Sequence, residues 1–248
     1  MIFPLGDDNS DRTATPFVNY LLIAVNILVF VFLQGFGSND KFTYAYATVP
    51  QEIVTGRDVD KPVKIKDPIT DETVGTIDLQ PTPVSVYITL LTSMFMHGGW
   101  AHILGNMLFL FIFGDNLENR IGHGRYLAFY LICGIIASLA HVVMNMNSYI
   151  PSLGASGAIS GVLGGYILLY PRNRVRVLMF NIFTQVPAYV AIGLWFVFQL
   201  ISGLGFLGGG SQIDGVAYAA HIGGFIAGLA LIKIFALGRG AGAGFGTA

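Results

Sequence analysis

The sequence predicts an all-α polytopic membrane protein, a bundle of six transmembrane helices with a polar external insertion between helices 1 and 2. Of its 248 residues, 54% are hydrophobic and only 11% are charged, and the mean hydropathy is +0.66. Soluble domains carry about 25% charged residues, so this composition indicates an integral membrane protein. The apolar residues also occur in runs that are long enough for helices to cross a hydrocarbon core of about 30 Å.

Charge and cysteine content narrow the possible functions. The formal net charge is −1, which argues against nucleic acid as a partner. The single cysteine, Cys133, lies in an apolar stretch, so no intramolecular disulfide is possible.

The first helix is predicted at residues 17–35, after a short polar N-terminus at 1–16. Its apolar run is longer than the core of a cleavable signal peptide, so we expect an uncleaved membrane anchor. The insertion at 38–83 contains most of the charged residues and several prolines. Alternating apolar and polar residues at 63–66 and 74–77 predict a small β-hairpin on the membrane surface.

Five further helices follow the insertion. Residues 84–97 are apolar but too short and too polar to span a membrane, and Gly98 and Gly99 end that segment. The predicted helices cover residues 101–118, 126–144, 154–170, 177–201 and 217–237. A glycine-rich connection at 202–216 precedes the last of them, and a flexible Gly/Ala tail follows at 238–248.

Arginine residues predict how the helices are oriented. The connections after the second and fourth helices contain Arg120, Arg125, Arg172, Arg174 and Arg176. The connections at 145–154 and 202–216 contain no basic residue. The positive-inside rule therefore places both termini in the cytosol and the insertion outside. We treat residues 1–248 as a single membrane domain.

The predicted fourth and sixth helices both present a face of very small side chains. Ser156, Gly157 and Gly161 begin one such face, and His221 and Gly224 share the other by their helical spacing. Small-residue faces allow close approach of two helices in a membrane. If these faces pack together, the imidazole of His221 can activate the hydroxyl of Ser156 as a nucleophile. Both side chains can otherwise be explained by packing, but ionisable residues within a membrane are costly enough to indicate function.

A second polar group lies at the start of the second predicted helix. His102 and Asn106 are four residues apart and share one helical face. Their side chains can donate hydrogen bonds to a carbonyl oxygen that becomes an oxyanion, and the unpaired backbone N–H of Ser156 can add another. His97 is expected in the preceding loop, in a supporting role. The alternative for these residues is hydrogen bonding between helices.

No carboxylate is predicted beside His221, so the sequence indicates a Ser–His dyad. Asp115 and Glu118 lie at the far end of the second helix, about 20 Å away at 1.5 Å per residue. Asp214 is placed roughly two helical turns before His221.

Together these motifs resemble those of the rhomboid family of intramembrane serine proteases. The matching residues are His97-x4-His102-x3-Asn106, Gly154-x-Ser156-Gly157 and Ala220-His221-Ile-Gly-Gly224. The resemblance extends over residues 17–237. It implies hydrolysis of peptide bonds in or near the transmembrane segments of protein substrates, within the lipid bilayer and without a cofactor or metal.

The resemblance also implies a role for each residue. Ser156 is the expected nucleophile and His221 the expected general base, while His102, Asn106 and the Ser156 amide are expected to bind the oxyanion. Glu118 matches a family acid that ties the second helix to its surroundings. The expected supporting residues are His97, Gly154, Gly157, Gly224 and Glu118.

Two positions depart from the family pattern. Ser160 stands where some members have an aromatic residue against the histidine, and Arg57 follows Gly56, so a Trp-Arg pair is not evident in the first loop. For substrate entry, we expect the 202–216 connection to cover the site and the bulky residues Phe196 and Phe198 to restrict lateral access. A passive linker beside a lipid-facing helix is the alternative.

Two other functions are consistent with parts of the sequence. A catalytically inactive rhomboid-like protein that binds and chaperones membrane proteins would share the fold, but such relatives typically lack the serine or the histidine. A metal transporter or metalloenzyme would use His97, His102 and His221, but no HExxH or equivalent motif is present. We expect a multi-pass protein of a bacterial inner membrane, with the active site facing the outer side.

Overall fold

The computed structural model describes residues 2–66, 72–179, 182–207 and 218–239, and helices dominate it. The longer helices are α1 (Phe17–Leu28), α5 (Trp100–Ile121), α6 (His123–Met144), α7 (Ser156–Leu169), α8 (Ala188–Leu207) and α9 (Tyr218–Phe235). The shorter helices are α2 (Asp40–Tyr46), α3 (Pro50–Thr55) and α4 (Thr89–Thr92). The strands are β1 (Ile2–Gly6), β2 (Pro62–Lys66), β3 (Thr73–Asp78), β4 (Arg174–Met179) and β5 (Ile182–Pro187).

The predicted apolar helices are present, but their lengths differ. Among the described residues, α6 and α9 are each long and apolar enough to cross a membrane. A third span results if the short helical segment Val86–Phe95 is combined with α5, from which it is bent by 79°. α1 with its π-helical extension, α7 and the Ala188–Ile201 part of α8 are shorter apolar helices. The mostly helical fold is therefore confirmed, whereas the count of six spans stays a prediction.

The prediction of a helix from residue 177 is wrong. Arg174–Met179 and Ile182–Pro187 instead form the antiparallel strands β4 and β5, and α8 begins only at Ala188 and continues to Leu207. Along β4 the arginines are partly or fully exposed while Val175 and Val177 are completely buried, which is the two-residue period of a strand. The predicted connection at 202–216 is therefore helical in its first part, and residues 208–217 lie outside the described residues.

The N-terminal segment contains a strand, β1, that was not predicted from the sequence. β1 pairs antiparallel with β4, so the sheet has the order β1-β4-β5. This pairing joins the start of the chain to the hairpin that precedes α8. The strands also show that the fold is not purely α-helical. Most of the predicted tail at 238–248 lies outside the described residues.

The hairpin predicted in the insertion is confirmed. β2 pairs antiparallel with β3, with Val63 opposite Ile77. The short helices α2 and α3 were not predicted from the sequence. The apolar segment before Gly98 forms short 3₁₀ and α-helical turns that meet α5 at a sharp bend, which agrees with the prediction that it does not span a membrane by itself.

Close packing of α7 against α9 forms the centre of the molecule. A Cβ atom on Gly224 would collide with the carbonyl oxygen of Gly157, and one on Gly228 would collide with that of Gly161. The backbones of the two helices are therefore in direct contact, as the small-residue faces predict. This contact fixes the position of the N-terminal turn of α9 relative to the start of α7.

Candidate active site

Ser156 and His221 lie side by side where α7 and α9 begin. Ser156 is the first residue of α7, and His221 is in the first turn of α9. Nε2 of His221 lies 2.8 Å from Oγ of Ser156, which is hydrogen-bond distance. The glycine contacts between the two helices therefore place a hydroxyl next to an imidazole nitrogen, the arrangement that can activate a serine.

The other ring nitrogen of His221 contacts Gln199, a residue that the sequence reasoning missed. Oε1 of Gln199 lies 2.7 Å from Nδ1 of His221. Gln199 comes from α8 and its side chain is only 7% exposed. The one available signal in the sequence was a polar residue inside an otherwise apolar helix, which is costly in a membrane unless the residue has a partner.

His102 of α5 also lies near the serine. The backbone N–H of Gly98 donates to Nδ1 of His102 at 3.3 Å, so the proton of the neutral ring is on Nε2, which is then a donor. A Cβ atom on Gly154 would be 2.7 Å from this Nε2 and 3.6 Å from Oγ of Ser156. Gly154 also has φ +127°, a conformation that favours glycine. The absence of a side chain there lets His102 lie close to Ser156.

Asn106 lies one turn beyond His102 in α5. It is 8% exposed, and its Nδ2 atom is buried with no hydrogen-bond partner among the described residues. Leaving a buried amide donor unpaired costs about 1–3 kcal/mol. This atom is therefore available to bind an acceptor that enters the site.

His97 is completely buried between the short turns and α5. Its ring lies edge-on to that of His102, with centroids 5.1 Å apart, and neither of its nitrogens has a hydrogen-bond partner in the described part of the chain. The side chain of Gln34 holds its backbone: Oε1 accepts from the His97 N–H at 2.9 Å, and Nε2 donates to the His97 carbonyl at 3.0 Å. Gln34 was not predicted from the sequence.

The loop that leads into α7 is held by segments from the insertion and from the short turns. The Gly154 N–H donates to the Ser93 carbonyl at 2.9 Å. Ser152 forms a β-bridge with Thr48, and the Thr48 hydroxyl donates to Oγ of Ser93 at 2.9 Å. Two separate regions of the chain thus position the residues immediately before Ser156.

Glu118 lies near the C-terminal end of α5, far along the helix from His102. Its carboxylate accepts hydrogen bonds from the backbone N–H groups of Val18 and Asn19, at 2.9 and 2.7 Å, and it contacts Nδ1 of His123. Unpaired N–H groups at a helix start favour a negative charge. Glu118 therefore joins α5 to the first turn of α1.

The described residues contain no group of three or more His, Cys, Asp or Glu side chains that could hold a metal ion. The site contains the hydroxyl of Ser156, the imidazole of His221 that can accept its proton, and the side-chain N–H donors of His102 and Asn106. These are the components of nucleophilic acyl transfer. Asp214 lies outside the described residues.

Comparison with known proteins places this site in a family. The family model for the Rhomboid domain matches residues 85–237, which include every one of the site residues on α5, α7, α8 and α9. The chain therefore belongs to the rhomboid family, whose members are integral membrane proteins.

Several curated relatives are similar to the chain. It is 29% identical over 219 residues to Rhomboid protease GluP of Bacillus subtilis, which covers 88% of this chain and 34% of that protein. It is 32% identical to Rhomboid protein 1, mitochondrial, of Saccharomyces cerevisiae over 61% of this chain and 42% of that protein. It is 34% identical to the Presenilin-associated rhomboid-like protein, mitochondrial, of Mus musculus over 38% of this chain and 26% of that protein. The chain thus spans well under half the length of these relatives.

Proposed function

We propose that this protein is an intramembrane serine endopeptidase that hydrolyses peptide bonds in or near transmembrane segments of membrane-protein substrates. The observation that carries the proposal is the 2.8 Å hydrogen bond between Nε2 of His221 and Oγ of Ser156. The two residues come from distant parts of the chain, and relatives in the family are named as proteases.

The proposed reaction begins when Ser156 Oγ attacks the scissile carbonyl carbon while its proton moves to Nε2 of His221. The carbonyl π electrons move to oxygen, which forms a tetrahedral oxyanion. When the C–N bond breaks, His221 gives the proton to the leaving amine and an acyl-enzyme ester is left on Ser156. Water then hydrolyses the ester by the same two steps, with His221 again accepting and returning a proton.

The proposed oxyanion donors come from α5 and from the start of α7. Nε2–H of His102 is available as a donor because the backbone N–H of Gly98 donates to Nδ1. The unpaired Nδ2 of Asn106 and the backbone N–H of Ser156 complete the set. Donors that are already in place stabilise the developing negative charge without reorganisation.

The membrane arrangement is part of the proposal. We place six spans in one domain, with the insertion and the active site at the outer side and both termini in the cytosol. Arginine contacts support one basic end: Arg125 donates to the carbonyls of Phe235 and Leu237, and Arg120 donates to the carbonyl of Arg239. The similar proteins include bacterial and mitochondrial ones, so the bacterial inner membrane stays a prediction.

Cleavage of a fluorogenic transmembrane peptide by purified protein in liposomes tests the function. The wild type should cleave the peptide and react with a fluorophosphonate probe, whereas Ser156→Ala should do neither and should unfold at the same temperature. Ser38→Ala is the control, because Ser38 is exposed and outside the site. Full cleavage by Ser156→Ala would reject the nucleophile. A wild type that binds the peptide without cleaving it would instead support the inactive, client-binding alternative.

A further inference from the structure

Gln199 is the one buried polar side chain in the described part of α8, and it contacts the proposed base directly. Ser156 and His221 lie on two helices that are held together by glycine contacts, whereas Gln199 comes from a third helix. Its Oε1 is 2.7 Å from Nδ1 of His221, and the serine is 2.8 Å from the other ring nitrogen. The three side chains form a continuous hydrogen-bonded row.

We propose that Gln199 is a positioning residue that fixes the tautomer and the orientation of the His221 ring. The inference rests on the proposed function and adds a third member to the Ser156–His221 pair. A neutral imidazole has one N–H and one acceptor nitrogen. Because Oε1 of Gln199 can only accept, it selects the tautomer with the proton on Nδ1. Nε2 is then left with the lone pair that must receive the serine proton.

The proton balance of the reaction is unaffected by Gln199. The serine proton moves to Nε2 and later to the leaving amine, while the Nδ1–H bond to Gln199 persists throughout. When the ring is transiently cationic, the amide dipole stabilises it. Without this acceptor, the ring distributes between two tautomers, and the form with the proton on Nε2 cannot act as a base. An amide supplies the acceptor without the cost of a buried negative charge.

Aromatic neighbours further define the position of Gln199 and of the ring. Trp195 is one turn before Gln199 on the same face of α8, and its ring centroid is 6.1 Å from that of His221. Phe196 stacks on Phe225 of α9 with centroids 4.1 Å apart. The contact of Trp195 with His221 therefore holds the turn of α8 that carries Gln199 beside the ring.

The test compares Gln199→Leu with Gln199→Glu in the same peptide-cleavage assay, with kcat, KM and the pH dependence measured for each. Leucine removes the acceptor at similar size, and glutamate keeps an acceptor oxygen in the same place. Ile201→Ala is the control for α8, since Ile201 is exposed. The other titratable groups near His221 are His102 on α5, His141 on α6 and Tyr218 on its own helix. None of these groups is altered by the substitutions.

We expect Gln199→Leu to lower kcat about 10²-fold with KM unchanged, the lower end of what general-base catalysis contributes. Gln199→Glu should restore most of the rate. Because a carboxylate favours the protonated ring, it should also move the acid limb of the kcat profile to higher pH. ¹⁵N spectra of the histidines should show a protonated Nδ1 for His221 in the wild type and a mixture of tautomers in Gln199→Leu.

Two results would overturn the inference. One is a Gln199→Leu protein with wild-type kcat and wild-type ¹⁵N shifts. The other is a Gln199→Glu protein that is as slow as Gln199→Leu and has an unshifted pH profile, which would indicate a purely structural role. Failure of the proposed function is distinguishable, because Ser156→Ala would then cleave the peptide as well as the wild type does. Ser156-dependent cleavage that is insensitive to Gln199 rejects this inference alone.

Discussion

Two histidines lie near Ser156, and each has a different group next to its Nδ1 atom. A backbone N–H donates to Nδ1 of His102, so its Nε2 carries the proton. An amide oxygen contacts Nδ1 of His221, so its Nε2 is free to accept. The chemical difference between the two rings therefore comes from the group next to each Nδ1 rather than from the rings themselves. In the proposed mechanism, this difference allows one ring to act as a base and the other to stabilise an oxyanion.

At the residue scale, we predict that His102→Ala and Asn106→Ala each lower kcat, because each removes one oxyanion donor. Loss of one such donor typically costs about 10²–10³-fold, and the cost will be smaller if the Ser156 amide dominates. Cleavage of the transmembrane peptide under saturating conditions measures the effect. Leu104→Ala is a suitable control on the same helix, since that side chain is exposed to the surroundings. An unchanged rate in the double variant would leave both residues with a structural role only.

At the scale of helices, the contact between α7 and α9 determines whether the site forms. The glycines of α9 press directly on carbonyl oxygens of α7, so even one methyl group must separate the two helices. Separation of the helices would also lengthen the hydrogen bond between Ser156 and His221. The packing and the proposed chemistry therefore depend on the same few glycines.

We accordingly predict that Gly224→Ala destabilises the protein by about 1–3 kcal/mol, as expected for overpacking of a tight core, and lowers activity. Gly193→Ala provides a matched control, because a Cβ atom there meets nothing within 4 Å. The control should be neutral or more stable by up to about 1 kcal/mol, since alanine favours a helix more than glycine does. Thermal unfolding in detergent measures both. Equal stabilities of the two variants would contradict close packing.

The N-terminal segment is a second element with a testable role. Oδ2 of Asp7 accepts hydrogen bonds from the hydroxyl of Tyr166 on α7, at 2.6 Å, and from Nδ2 of Asn116 on α5, at 2.8 Å. Burial raises the pKa of Asp7 from 3.8 to about 6, and the nearby Asp115 adds to the effect. The carboxyl thus binds the β1 region to two helices, but its charge is unfavourable there.

Because the folded protein binds the Asp7 proton more tightly than the unfolded chain does, stability should fall as the pH rises from about 4 to 6. Asp7→Asn cannot ionise and should therefore gain stability relative to the wild type at pH 7.5 but not at pH 4. Melting temperatures at the two pH values measure the difference. Asp8→Asn should show no such gain, since a hydrogen bond from Ser10 lowers the pKa of that exposed carboxyl. An equal gain at both pH values would exclude ionisation of the Asp7 carboxyl as the cause.

At the scale of the whole molecule, α8 packs against α9 beside the site through Gln199 and Phe196. Phe196 is stacked on Phe225 of α9, whereas Phe198 is 61% exposed. Both residues were predicted to restrict the lateral entry of substrate. Phe196 forms a ring contact between α8 and α9 that would have to open for such entry. The connection that was expected to cover the site lies largely outside the described residues.

We predict that Phe196→Ala speeds cleavage of a transmembrane peptide in liposomes, because it weakens the contact between α8 and α9. Phe198→Ala is the natural comparison and should leave the rate unchanged. A short soluble peptide, which does not enter from the lipid, should be cleaved at the same rate by both variants. If Phe196→Ala fails to increase the rate on the transmembrane peptide, lateral access is not controlled at this contact.

The helical membrane fold, the hairpin in the insertion and the pairing of Ser156 with His221 could all be predicted from the sequence. These features depend on local periodicity and on rows of small residues, which are visible in single segments. Residues 177–187 are different, because their apolar content fits a helix as well as a strand. Pairing with β1, which is more than 170 residues away in the chain, determines the strand.

Only the tertiary structure identified Gln199, Gln34 and Asp7 as partners. Gln199 and Gln34 are each a single polar residue in an apolar stretch, and Asp7 is one of several in a polar stretch. The role of each depends on which way its helix or loop faces after packing. The rotation of α8 about its axis places Gln199 against His221, and no periodic pattern in the sequence specifies that rotation. Spacing along the chain can show which residues share a helical face, but contacts between the faces are set by how the helices pack.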